Sequence, residues 1–119
     1  MQVSKRKINQ QKKKKFFDLL YQTIADIKSI EEAELIFKDL FSKTELSAIV
    51  KRLGAAYLLD QGKNYREIKN HLKISSATIS TIADQMNKGE GFKIALEKAK
   101  ADEWAEKWSQ KIKTMLSFR

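Results

Sequence analysis

The chain has 119 residues, 42% of them hydrophobic and 33% charged, with a formal net charge of +9: enough for one packed core under a heavily solvated surface, and too short for two. The absence of cysteine excludes disulfides, thiolate metal sites and cysteine nucleophiles, and a single histidine, His71, leaves little for a zinc site or a serine triad. No apolar run approaches the ~18 residues of a membrane helix and no signal-peptide pattern opens the chain, so a soluble, cytoplasmic protein without a membrane partner is expected.

Zero proline and four glycines predict helices joined by short turns, an all-α fold. Residues 1–15 carry seven basic side chains and no acid, and read as a basic flexible arm. Within it, Lys12, Lys13, Lys14 and Lys15 are either a solvated tail or a set of phosphate contacts, and counterion release favours the second. From Phe16 the apolar positions Phe17, Leu20, Ile24 and Ile27 recur at three- and four-residue steps, the pattern of a helix with one buried stripe. Ser29 and Glu32 form a capping box opening a second helix that would bury Ala33, Ile36, Phe37 and Leu40. Ser42 and Glu45 form another, opening a third helix that runs to about Gln61, where Gly62 supplies a left-handed stop. That third helix is apolar almost all round, from Leu46 to Leu59, which predicts a central place in a bundle or a subunit interface.

The stretch from Gly62 to Gly89 reads GKNYREIKNHLKISSATISTIADQMNKG. Asn64 with Glu67 opens a short helix whose inner face holds Ile68 and Leu72; Lys73 and Ile74 turn the chain; Ser75 caps a second helix with Ile79, Ile82 and Met86 inward. Two short helices, a tight turn and apolar residues only where the helices meet describe a helix-turn-helix at 64–87. The outer face of its second helix presents Ser76, Ala77, Ser80, Thr81 and Asp84. Small and hydroxylated side chains let a helix approach base edges closely and exchange hydrogen bonds with them or with phosphates. The segment 62–88 carries five basic groups against two acids, so positive charge is concentrated there and in the arm, with an acidic stretch between. Contact with a polyanion at two places is the reading this favours, although helix pairs with tight turns also occur in purely structural bundles.

Residues 89–119 read as a C-terminal helical extension. Phe92, Ala95, Leu96 and Ala99 form one stripe, and Trp104, Trp108, Ile112 and Met115 a second, with a break expected near Ala101 and Asp102. The two tryptophans, at core spacing, are expected to pack structurally.

The phrases LFSKTELSAIVKRL, YREIKN and SSATIS, with the order of elements around them, resemble the Trp repressor superfamily, in particular its Trp repressor-like branch. The resemblance spans Leu40 to Lys88. It implies that residues 16–88 form a Trp repressor-like helical domain, paired as an intertwined homodimer on a two-fold symmetric stretch of double-stranded DNA. Carried over by position, Lys69, Ser76, Ala77, Thr78 and Ser80 fall on the family's operator-contacting sites. Lys73, Ser75 and Thr81 complete the set expected to bind DNA. Arg52 falls on one of two arginines that hold the corepressor, and Ser42 on a hydroxyl near that ligand. Thr81 stands where the second arginine would be. A carboxylate held by two guanidinium groups loses most of its charge-assisted binding when one is gone, so no cofactor is expected and tryptophan is not expected to gate the protein.

Function is therefore read as a sequence-specific transcription regulator, a repressor. The alternative is a basic helical protein associated with RNA or the ribosome, which would favour exposed aromatics or an arginine-rich surface. No glycine-rich phosphate loop, metal-ligand spacing or nucleophile–base pair points to an enzyme.

Overall fold

The computed structural model describes residues 9–116; Lys5, Arg6 and Lys7 lie outside them. Six helices follow in order: α1 (Gln10–Ala25), α2 (Ile30–Leu40), α3 (Lys43–Asp60), α4 (Tyr65–Leu72), α5 (Ser76–Lys88) and α6 (Glu90–Leu116). Among the described residues none is in a strand, and no helix is long and apolar enough to cross a membrane. The chain divides into two compact units, between Ala48 and Ile49.

In the first unit, α1 begins at Gln10, capped by the Asn9 side chain, which accepts from the Gln11 amide at 2.9 Å. Lys12–Lys15 therefore occupy the first turns of a helix, where the sequence suggested the end of an arm; Gln and Lys propagate a helix well and nothing interrupts them before Phe16. Ser29 caps α2, its hydroxyl accepting from the Glu32 amide at 3.0 Å, while Glu32 reaches back one residue further than expected, to the Lys28 amide at 3.0 Å. At the start of α3 the reciprocal box is complete: Glu45 N–H donates to Ser42 Oγ at 3.1 Å, and Ser42 N–H to Glu45 Oε1 at 2.8 Å. The Ser42 backbone, then its side chain, hold the Glu45 carboxyl below its ordinary pKa.

The predicted stripes of α1 and α2 exist but are not buried within this chain. No residue of either helix is buried, and Phe16 is 57% exposed. The sequence pattern reports that a face is apolar, not which molecule covers it.

The second unit holds the core: Ala55 and Ala56 of α3, Ile68 of α4, Ile79 and Ile82 of α5 and Leu96 of α6. Gly62, at φ 84°, ends α3 as expected. The amides of Gly62 and Lys63 close on the carbonyls of Leu59 and Leu58, both at 3.0 Å, the paired bonds of a Schellman turn.

The expected break at Ala101 and Asp102 is absent; α6 runs unbroken for 27 residues. Alanine is the best helix former, and neither glycine nor proline follows Gly91. What changes there is the face. At about 100° per residue, the stripe of Phe92, Ala95, Leu96 and Ala99 and that of Trp104, Trp108, Ile112 and Met115 lie roughly 165° apart. The first stripe meets the core; the second is exposed, Trp104 at 63%, which departs from the packing expected of the tryptophans.

Two polar contacts tie α6 to α3. The Tyr57 hydroxyl donates to Glu103 Oε2 at 3.0 Å, and Lys100 Nζ pairs with Asp60 Oδ2 at 2.8 Å. Each raises the pKa of its donor, Tyr57 through the bond to Glu103 and Lys100 through the bond to Asp60. The helix that backs α5 is thereby anchored at two points.

Candidate nucleic-acid interface

The helix-turn-helix is built from local bonds. Asn64 Oδ1 accepts from the Glu67 amide at 2.9 Å and starts α4. Its inner face is completely buried at Ile68, with Leu72 packed beside it. Lys73 ends α4 in the left-handed region (φ 55°, ψ 50°), its amide bonded to the Lys69 carbonyl at 2.9 Å. This is the only positive φ at a residue other than glycine among the described residues. It reverses the chain in the three residues Lys73, Ile74 and Ser75, so that α5 can start at once.

Ser75 then caps α5, its Oγ accepting from the Thr78 amide at 3.1 Å and sharing a hydrogen bond with Thr78 Oγ1 at 3.0 Å. Ile79 and Ile82 are buried and Met86 packs against the core. The face made by Ser76, Ala77, Ser80, Thr81 and Asp84 is exposed and lies about 160° around the helix from these apolar residues. Fixing Ile79 and Ile82 in the core therefore aims the hydroxyl-rich face at solvent.

All eight residues expected to bind DNA are exposed. Their hydroxyls are not equally free. Ser75 and Thr78 are bonded to each other, and Thr81 Oγ1 donates to the Ala77 carbonyl at 3.1 Å. Among the described residues Ser76 and Ser80 have no such partner and can reach outward. On α4, Lys69 shares its exposed face with Arg66, one turn earlier, a residue the sequence reading left out of the site. The signal was available: the two are three apart, and their mean direction lies about 110° around the helix from that of Ile68 and Leu72. Asp84, which would repel phosphates, pairs with Lys88 at 3.1 Å, one turn on, and adds little net charge there.

The remaining candidates are Lys12–Lys15, Ser42, Arg52 and His71. Lys12–Lys15 belong to α1 of the first unit, where Lys13 Nζ stands 5.9 Å from the Phe17 ring centroid. Ser42 is occupied in capping α3. Arg52, on α3, is exposed and makes no hydrogen bond or ion pair among the described residues. His71 is exposed on α4.

An all-helical domain that displays an exposed second helix after a tight left-handed turn belongs to the helix-turn-helix class. Residues 15–100 match the Trp repressor protein family, and the chain belongs to it. It is also 32% identical over 90 residues to the uncharacterized protein YerC of Bacillus subtilis (strain 168), an alignment covering 75% of this chain and 86% of that protein.

Proposed function

We propose that this protein is a sequence-specific, DNA-binding transcription regulator that docks α5 in the major groove, acts as a homodimer and represses by occupying its site. The observation that carries this is the orientation of α5: Ile79 and Ile82 are sealed in the core while Ser76, Ala77 and Ser80 face solvent. Ser76 and Ser80 supply exchangeable hydrogen bonds to base edges, and the Ala77 methyl suits a thymine methyl. Arg66, Lys69 and Lys73 flank that face with positive charge and would hold phosphates on either side of the groove. Pairing is supported by the apolar area the single chain leaves uncovered on α1, α2 and α3, including Phe16, Phe17, Leu35, Leu53 and Val50.

Ser80→Glu places a carboxylate where the groove is most negative and leaves the core untouched. Selection of bound duplexes from a random pool should return one two-fold symmetric sequence with the wild type and none with this variant. If Ser80→Glu selects the same sequence, α5 is not the reading element.

Tryptophan does not gate this activity. With Arg52 the only arginine at the two positions that hold the family's corepressor, and the Thr81 hydroxyl at the other turned to its own helix, a carboxylate ligand has one guanidinium and no second clamp. Titrating tryptophan into the protein–duplex complex should leave affinity unchanged; a tenfold or larger rise, ~1.4 kcal/mol, would refute this.

A second reading, association with structured RNA, has one observation in its favour. Trp104 and Trp108 are exposed, and Lys111 Nζ lies 5.3 Å from the Trp108 ring centroid, the combination of aromatic and cation that stacks on unpaired bases. Competition between duplex DNA and structured RNA at physiological salt separates the two.

A further inference from the structure

The second unit contains an open groove of about 560 Å3 between α3 and α6. Val50 and Leu53 line its α3 side, and Leu96 and Ala99 its α6 side. One turn further along α6 the same face turns acidic, with Asp102, Glu103 and Glu106. Glu103 is held by Tyr57 and lies 3.7 Å from Lys107. Asp102 and Glu106 have no ion-pair or hydrogen-bond partner among the described residues. The groove is therefore apolar at one end and carries unpaired negative charge at the other.

One element of the chain has the reciprocal pattern. On α1, Phe16, Phe17, Leu20 and Ile24 form an apolar stripe in which no residue is buried, and the turn before it is four consecutive lysines, Lys12–Lys15. None of these lysines has an ion-pair partner among the described residues. Along α1, lysine precedes the apolar stripe; along α6, the carboxylates follow it. Laid antiparallel to α6, α1 would set its lysine turn against the acidic turn and its aromatic residues against Leu96 and Ala99. The lengths agree: Lys13 to Ile24 spans about 16 Å of helix, and the α6 side of the groove, Leu96 to Glu106, about 15 Å.

We propose that the groove between α3 and α6 receives α1 of a second copy of this chain, and that Lys12–Lys15 of that copy form an electrostatic latch with Asp102 and Glu106 of the receiving groove. A two-fold exchange makes the contact twice and covers both apolar surfaces at once. This rests on the homodimer proposed above and goes beyond the family match, since Lys12–Lys14 precede residue 15 and the three acids follow residue 100. It also assigns the lysine quartet to the dimer and leaves DNA contact to α4 and α5.

Charge exchange tests the latch. One variant carries Lys12→Glu, Lys13→Glu, Lys14→Glu and Lys15→Glu; the other carries Asp102→Lys and Glu106→Lys, with Glu103 kept because it accepts from Tyr57. Sedimentation over a dilution series should show each variant alone dimerising at least about tenfold more weakly than wild type at low salt, a gap that high salt narrows. Mixed one to one, the two should form a mixed pair, because each lysine turn then faces carboxylates and each glutamate turn faces lysines. Circular dichroism checks that both stay helical; a variant that does not is replaced by its neutral counterpart, Lys→Gln or Asp102→Asn with Glu106→Gln. Unchanged dimerisation of both variants, or failure to form the mixed pair, overturns the latch while leaving the homodimer standing. A wild type that is monomeric throughout overturns both.

Discussion

Lys73 is the residue on which the turn depends. A left-handed backbone costs an L-amino acid roughly 1 kcal/mol or more, and glycine would adopt it freely. The chain nonetheless keeps a long cation at φ 55°, next to the exposed faces of α4 and α5. Lys73→Gly is therefore expected to stabilise the fold by about 0.5–1 kcal/mol while weakening DNA binding uniformly across sequences and reducing the salt slope by about one. Thermal melting and binding at several salt concentrations check the two halves separately. The same scale shows what a sequence hides. Thr78 and Thr81 look as available as Ser76 and Ser80 on paper, yet their hydroxyls bond to the Ser75 cap and to the Ala77 carbonyl, a choice made by backbone geometry at each position.

Helix starts are the most legible elements, because a cap is a bond between residues two or three apart and needs no tertiary context. Ser29, Ser42, Asn64 and Ser75 all cap where their spacing predicted. The α3 box also carries a pH signature. Glu45 has a folded pKa below its ordinary 4.5, so its contribution is fully present above that value and is lost as pH falls through the lowered one. Glu45→Gln should flatten the fall in thermal stability below about pH 4.5 relative to wild type, read by melting across an acid series; an identical acid limb would assign that fall to other carboxylates. The end of the first C-terminal stripe was harder to read. A stripe that stops at Ala99 and resumes at Trp104 suggests a broken helix, whereas α6 continues and presents its second stripe on the opposite side. Periodicity within a short window carries no information about the phase between windows. At the joint before α6, Gly89 has no room for a side chain: a Cβ there would stand 2.9 Å from the Gln85 carbonyl oxygen, which lets α5 and α6 follow each other directly.

For the molecule as a whole, the decisive feature is how little is buried among the described residues: six core residues, all in the second unit, against exposed aromatic and aliphatic side chains along α1, α2, α3 and α6. The homodimer proposed above would cover these side chains, and a dimer that folds with assembly melts at a temperature that rises with concentration. A midpoint that climbs over about a hundredfold range of protein concentration is expected; a constant midpoint would refute coupled folding and pairing.

The sequence alone determined the all-helical class, the caps, the left-handed stop at Gly62 and the helix-turn-helix with its hydroxyl-rich outer face. Those features depend on near neighbours and on the 3.6-residue period. It also carried the resemblance, through LFSKTELSAIVKRL, YREIKN and SSATIS, to the family that the chain belongs to. Tertiary structure decided which apolar stripes this chain buries and which it leaves open, and that Tyr57 and Asp60 of α3 hold α6 through Glu103 and Lys100. Burial depends on what lies across from a face, and a linear pattern names the face without naming its partner.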